Sequence, residues 1–102
     1  MSIFDRDCID ILSIEEDSCI LVMTNHLEWA DEHLFLIQDK INVYLHYIEE
    51  GQLYKDNPEA KGKRVVIKLV CKFAIPEEYI LFFDKFREML FDYNVTFLYE
   101  AV

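Results

Sequence analysis

Residues 33–73, HLFLIQDKINVYLHYIEEGQLYKDNPEAKGKRVVIKLVCKF, decide the fold of this chain. In the first half, apolar side chains recur in steps of three and four, which indicates an amphipathic helix that ends at Gly51. In the last part, from Arg64 to Phe73, the side chains alternate between two faces, which indicates a strand. Between them we expect residues 52–63 to form the longest loop, because Asn57-Pro58 and Gly62 interrupt it.

The segment before this stretch reads as a β-hairpin. Residues 8–14 and 19–24 are short runs rich in β-branched side chains, and a polar connection over residues 15–18 joins them. Such a pattern is typical of two paired strands. The first helix then begins after Asp31, which we expect to act as its N-cap.

The segment after it supplies a second helix and a last strand. Pro76 suits the first turn of a helix, Asn94 suits its end, and residues 95–100 read as a strand. The order β-β-α-β-α-β over residues 1–102 predicts a single α+β domain, a four-stranded sheet with two helices packed on one face. The expected buried stripes of the helices are Leu34, Ile37, Ile41, Tyr44, Leu45 and Ile48, and then Tyr79, Ile80, Phe83, Phe86, Leu90 and Tyr93.

The sheet face away from the helices is expected to be only half polar. It would be either a wet surface with scattered apolar side chains or a face on which a second copy or a partner packs. The residues that would form this possible self-association face are Val66, Lys68, Val70, Lys72 and Leu98.

The charge of the chain is strongly acidic and unevenly distributed. The net charge is −10, and acids outnumber bases by 11 over residues 1–60, whereas residues 61–102 carry a net +1. Nucleic acid and anionic membrane surfaces are disfavoured as partners, because phosphate binding needs basic side chains. The acidity either keeps the protein soluble or forms a face that docks onto a basic protein.

Cysteine usage and hydropathy indicate a cytoplasmic protein. Three cysteines without a CxxC pair favour reduced thiols over a disulfide framework. The N-terminal residues lack the basic and then apolar pattern of a signal peptide, and the longest apolar runs fall short of a membrane span of roughly 20 residues.

The sequence predicts no catalytic residue, no cofactor and no metal site. His26, His33 and His46 lack the close spacing with cysteines that structural zinc uses. The cysteines lie on predicted strands, where a thiol is usually a small buried side chain. The two glycines cannot build a phosphate-binding loop, and the many carboxylates indicate a solvated surface.

Two regions stand out for recognition of a partner. The only tryptophan lies in the connection His26-Leu27-Glu28-Trp29, where it is either a binding anchor or a lid over the core. The polar side of the first helix and the loop after it present amides and acids that are either solvated or bind a partner. The candidate partner-binding residues are His26, Glu28, Trp29, Asp31, Gln38, Asp39, Asn42, Gln52 and Tyr54.

The chain also resembles a known family through a series of short motifs. They are HLEW at 26–29, QDKIN at 38–42, EGQLY at 50–54 and PEAKG at 58–62. These motifs resemble those of a family of small bacterial proteins described as a domain of unknown function. The resemblance implies a bacterial, cytoplasmic protein and brings no activity, cofactor or catalytic residue with it.

Three functional classes follow from these observations. The leading hypothesis is a non-enzymatic, self-associating interaction module with an acidic N-terminal half, for example an immunity-like protein that neutralises a basic toxin or nuclease. The alternative is a small enzyme with a site at the His26–Trp29 connection and the start of the first helix, in which His26 or His33 acts as a base. The third is a ligand sensor with a pocket lined by Trp29, Tyr44 and Tyr54.

Overall fold

A computed structural model describes residues 11–101, with the side chains of residues 13–101. The predicted strand residues 8–10, including Cys8, lie outside these residues. The elements are β1 (Ile11–Ile14), β2 (Ser18–Asn25), α1 (Glu32–Glu49), α2 (Gln52–Asp56), a 3₁₀ turn (Pro58–Ala60), β3 (Arg64–Cys71), α3 (Glu77–Phe91) and β4 (Val95–Ala101).

The four strands form one mixed sheet in the order β1-β2-β3-β4. β1 and β2 form the predicted antiparallel hairpin, with Ile14 opposite Cys19. β2 and β3 are parallel and place Cys19 opposite Val65, and β3 and β4 are parallel and place Val65 opposite Val95. Each parallel pair is joined through a helix, because parallel neighbours need a long crossover.

Both long helices pack on the same face of this sheet. The alternating side chains of β2, β3 and β4 and the apolar stripes of α1 and α3 form one continuous core. The predicted α+β architecture, a four-stranded sheet with helices on one face, is therefore confirmed. The core members are Cys19, Leu21, Met23, Ile37, Ile41, Tyr44, Leu45, Leu53, Ala60, Val65, Ile67, Leu69, Cys71, Tyr79, Phe83, Leu90, Val95 and Phe97.

The ends of both long helices are set by backbone geometry. Gly51 follows α1 with a φ of 80°, and Asn94 follows α3 with a φ of 62°. This left-handed conformation ends a helix, and glycine and asparagine tolerate it best. Both predicted stops are thus confirmed. Asp31 does precede α1, but its side chain makes no capping hydrogen bond.

Two further parts of the sequence interpretation were wrong. The segment 52–63 is not a plain loop, because Gly51 turns the chain and α2 and the 3₁₀ turn follow, burying Leu53 and Ala60 against the core. Tyr93 is not part of the buried stripe. It is exposed because α3 ends at Phe91 and the chain then turns towards β4.

Two polar side chains are buried on α1 beside the apolar stripe. Lys40 is completely buried, and its ammonium lies 5.3 Å from the centre of the Tyr44 ring. His33 is buried at the start of the helix. Positions 33, 37, 40, 41 and 44 share one helical face, so packing against the sheet encloses them whatever their polarity. Within residues 11–101 no helix is long and apolar enough to cross a membrane.

Candidate functional site

The candidate site is a groove between α1 and α3 on the outer side of the helical layer. Since β2, β3 and β4 are parallel and each helix returns the chain across the sheet, α1 and α3 run in the same direction. Their N-termini therefore meet at the edge where the parallel strands end. The groove between them encloses about 420 Å³.

Two matched rows of side chains line this groove. Along α1 the order runs from an acid through two apolar residues to an amide, and along α3 it runs from an acid through a tyrosine to two phenylalanines. The lining residues are Asp31, Leu34, Phe35 and Gln38 on the first row and Glu78, Tyr79, Phe82 and Phe86 on the second. The groove therefore has an acidic end and an apolar body.

A hydrogen bond joins the two helices at the acidic end. The Tyr79 hydroxyl donates to Asp31 Oδ1 over 2.8 Å. This hydrogen bond to the carboxylate favours the neutral phenol and, with burial and the charges of Asp31 and Glu78, raises the pKa of Tyr79 to about 12. Asp31 makes this tertiary contact, and Glu78 lies in the lining of the same end of the groove.

Exposed aromatic rings flank the body of the groove. Phe35 is 70% exposed and Phe82 is 46% exposed, on opposite walls. The Lys85 ammonium lies 5.9 Å from the centre of the Phe82 ring, on the same helix. Exposed apolar side chains that adjoin one another in a patch mark a contact surface more often than scattered ones do.

Trp29 lies beside this groove as part of the core boundary. It is half buried, its ring lies 5.5 Å from that of Tyr79 in an edge arrangement and 5.9 Å from that of Phe83, and its Nε1 donates to the Phe73 carbonyl over 3.3 Å. These contacts support the interpretation as a lid over the core. The Trp29 ring contacts that of Tyr79, and Tyr79 lines the groove.

The two histidines proposed as bases lie in different surroundings. His33 is buried, with Nδ1 3.3 Å from Asn25 Nδ2 and its ring 6.1 Å from that of Trp29. His26 and Glu28 are exposed in the connection before α1. Asn25 also accepts a hydrogen bond from the Leu27 backbone N–H, which shapes this connection. The structure thus does not bring His26 and His33 into one shared exposed site.

The other predicted partner residues divide between the groove and the surface beyond it. Asp31 and Gln38 line the groove, and Asp39 and Asn42 are exposed on α1. Gln52 lies on α2, where its amide donates to Asp56 Oδ1 over 2.8 Å.

The tyrosines proposed for a ligand pocket are engaged in the fold. Tyr54, on α2, packs half buried against the core. Tyr44 is completely buried, and its hydroxyl donates to the Val22 carbonyl over 2.7 Å. The structure therefore does not bring Trp29, Tyr44 and Tyr54 together as the lining of an open pocket.

The sheet face opposite the helices is partly apolar, as predicted. Val66 is buried, and Val70 is half buried. Lys68 pairs with Glu100 over 3.1 Å, and Leu98 is 45% exposed. Lys72 lies just past the end of β3, so the strand is shorter than the predicted residues 64–73.

Outside the groove, the described residues offer few side chains suited to metal binding or catalysis. Among the described residues, no cluster of three or more His, Cys, Asp or Glu side chains is arranged to hold a metal ion. Cys19 and Cys71 are free and buried, and burial raises the pKa of both thiols, that of Cys71 to about 12. Burial, with a hydrogen bond to Asp56, likewise raises the pKa of Tyr47 to about 12.

Sequence reasoning missed six of the eight groove residues as binding residues. Phe35 was passed over because it lies outside the apolar stripe of α1, and Phe82 because its neighbour Phe83 fits the stripe of α3. Glu78 was assigned to the start of the second helix. Leu34, Tyr79 and Phe86 were assigned to the buried stripes of the two helices. The signal was present in the runs Leu34-Phe35-Leu36 and Leu81-Phe82-Phe83, which are wider than one buried stripe requires.

Comparison with known proteins gives a family and nothing further. No curated protein and no solved structure matches the chain. The sequence model of the Family of unknown function (DUF6572) matches residues 1–102, which is the whole chain. The chain therefore belongs to this family.

Proposed function

We propose that the protein is a non-enzymatic interaction module that binds a basic region of a partner protein at the groove between α1 and α3. The observation that carries this proposal is the composition of the groove, which joins two carboxylates, Asp31 and Glu78, to exposed aromatic rings. Apolar contact area with charged groups at its rim is the usual composition of a protein-binding surface.

The net charge supports a basic partner. A chain with a net charge of −10 repels acidic proteins and attracts basic ones at a distance. Glu28, Glu32 and Asp39 are exposed around the start of α1 and add to the charge of Asp31 and Glu78. Such complementarity speeds association and selects among partners.

An immunity-like protein that neutralises a basic toxin or nuclease is one concrete form of this proposal. The partner would then be a cationic toxin or nuclease, and this protein would cover the surface with which that partner binds its target. We also propose a cytoplasmic site of action, because Cys19 and Cys71 are free thiols, as is usual in a reducing compartment.

The test is a titration of a partner captured from the source cells, identified and purified. The triple variant Glu28→Gln, Asp31→Asn and Asp39→Asn should weaken binding by about tenfold or more, and salt should weaken binding of the wild type. The control is Glu15→Gln, Glu16→Gln and Glu49→Gln, which removes the same charge at the opposite edge of the fold. A partner whose affinity is unchanged by salt and by the first triple variant would show that the proposal is wrong.

Self-association through the sheet face opposite the helices is a second proposal. Leu98 favours it, because this large apolar side chain is 45% exposed on a face that no helix of the described chain covers. Light scattering should then give the mass of a dimer, and Leu98→Lys should return the mass of a monomer. A monomer mass for the wild type at the highest soluble concentration would contradict it.

A further inference from the structure

We infer that the occupant of the groove is an amphipathic helix of the partner that carries Lys or Arg at one end of its apolar face. This inference rests on the proposed function and deepens it by naming the form and polarity of the partner segment.

The groove walls favour a helix over an extended segment. Both walls are helices, whose backbone N–H and C=O groups are bonded within α1 and α3 beyond their first and last turns. Beyond the first turn of each helix, an extended segment would bring backbone polar groups into an apolar groove that offers them no backbone partners, which is unfavourable. A helix satisfies its own backbone and presents only side chains, which is how helices bind in grooves elsewhere.

The order of the lining residues gives the occupant a direction. Asp31 and Glu78 lie at one end, and Phe35, Phe82 and Phe86 lie one to two turns further along. A Lys or Arg of the occupant would lie against the two carboxylates, and its large apolar side chains would lie between the phenylalanine rings. The stem of the cation also packs well on aromatic rings, so both parts of the groove bind the same segment.

The length of the groove sets the length of the contact. Glu78 and Phe86 span two turns of α3, or about 12 Å at the rise of an α-helix. The occupant therefore contacts the groove over about two to three turns of its own helix.

The experiment uses synthetic peptides and the full chain. The first peptide has roughly 14 residues, with leucines at helical spacing and two lysines one turn before the first leucine. The second has the same composition with the leucines moved out of helical register, and the third has glutamates in place of the lysines. Trp29 fluorescence reports binding, because its ring lies 5.5 Å from that of Tyr79 in the groove and the peptides contain no tryptophan.

The first peptide should bind at least about tenfold more tightly than the other two. Phe35→Ala with Phe82→Ala should weaken this binding by about tenfold or more, and so should Asp31→Asn with Glu78→Gln. The matched apolar control is Phe91→Ala with Tyr93→Ala, because both rings are exposed outside the groove. The matched charge control is Glu49→Gln with Glu50→Gln at the far end of α1. Neither control pair should change the affinity by more than about twofold.

Two results would overturn this inference. One is equal binding of the helical and scrambled peptides with no effect of the Phe35 and Phe82 variants. If the Asp31 and Glu78 variants still weaken binding in that case, the basic partner survives and only its helical form is wrong. The other is no binding of the first peptide at low salt. The proposed function is tested separately. It is wrong if the affinity of the captured partner is unchanged by salt and by substitution of the acidic residues.

Discussion

Asp31 shows how a tertiary contact replaces a local one at the level of a single residue. The sequence places an aspartate just before α1, which is the usual position of a capping side chain. In the structure its carboxylate instead accepts the hydroxyl of Tyr79, from a residue 48 positions along the chain. The contact ties the start of α1 to the first turn of α3 and closes the acidic end of the groove.

The contact between Tyr79 and Asp31 predicts a change in alkaline stability. The pKa of Tyr79 is raised from 10.0 to about 12 in the folded protein, so its contribution is complete below pH 10. Between pH 10 and 12 the unfolded chain loses this proton first, and stability therefore falls as pH rises. Tyr79→Phe should lower the urea midpoint at pH 7, make this alkaline decline shallower and remove one late step from the phenolate absorbance titration.

Tyr93→Phe is the control for this prediction, because Tyr93 is exposed and the substitution leaves the contact with Asp31 in place. The late absorbance step should persist in this variant. Tyr47, whose pKa is also raised to about 12, should still titrate late in Tyr79→Phe, so the amplitude of the late absorbance change should fall by one tyrosine. An unchanged amplitude in Tyr79→Phe would contradict the assignment of part of the late change to Tyr79.

Cys19 and Cys71 are predicted to be unreactive in the folded protein. Burial raises the pKa of both thiols, and the thiolate is the reactive form. In the Cys8→Ser background, a thiol reagent such as DTNB at pH 8 should react with them only as fast as the fold opens, and with both at once in urea. Rapid reaction of either thiol in the native protein would contradict their placement in the core.

Two adjacent phenylalanines on α3, Phe82 and Phe83, lie on different faces of the helix and have different surroundings. Phe83 is completely buried and contacts the rings of Trp29, Phe97 and Tyr99, whereas Phe82 is 46% exposed in the groove. The two side chains differ by about 100° around the helix axis, so one faces the sheet and the other faces the groove. One face of α3 therefore stabilises the fold, and the neighbouring face is available for binding.

The pair gives a matched prediction for stability. Phe83→Ala should lower the free energy of unfolding by about 3–5 kcal/mol, because it leaves a cavity among aromatic rings. Phe82→Ala should lower it by less than about 1 kcal/mol, since the residue is 46% exposed and lies outside the core. Urea unfolding followed by circular dichroism measures both, and equal losses would show that the placement of α3 is wrong.

The helices and strands differ in how well their sequences predict them. α1, β3, α3 and β4 carry strong periodic patterns and marked ends, and their positions were predicted within a few residues. α2 is five residues long, which is too short for a periodic signal. It forms because the left-handed backbone of Gly51 changes the direction of the chain and Leu53 is buried in the core. Burial of Lys40 and His33 was not predictable, because a pattern of apolar residues says nothing about polar side chains on the same face.

At the scale of the whole molecule, β3 is the centre of stability. It pairs with β2 along its whole length and with β4 from Val65 to Cys71. Its inward side chains Val65, Ile67, Leu69 and Cys71 are all in the core. β1 is a four-residue strand at the edge of the sheet and pairs with β2 alone. In the chain, β3 also lies between the two long helices α1 and α3, so it connects both of them to the centre of the sheet.

This arrangement predicts the order of amide hydrogen exchange. The amides of β3 should belong to the slowest class, which opens only when the whole domain unfolds, and those of β1 should exchange faster through local opening. Exchange followed by NMR tests this difference. Comparable rates in the two strands would contradict a single cooperative unit centred on β3.

The sequence by itself determined the order of the main elements, the ends of the long helices and the split of each strand between two faces. These features follow from local periodicity and from residues such as Gly51 and Asn94, whose backbone preferences act without the rest of the fold. Only the tertiary structure decided the strand order, the burial of Lys40, the contact between Asp31 and Tyr79, and the groove. Each of these depends on which surfaces meet, and the parallel packing of α1 and α3 brings together residues that lie more than 40 positions apart in the chain.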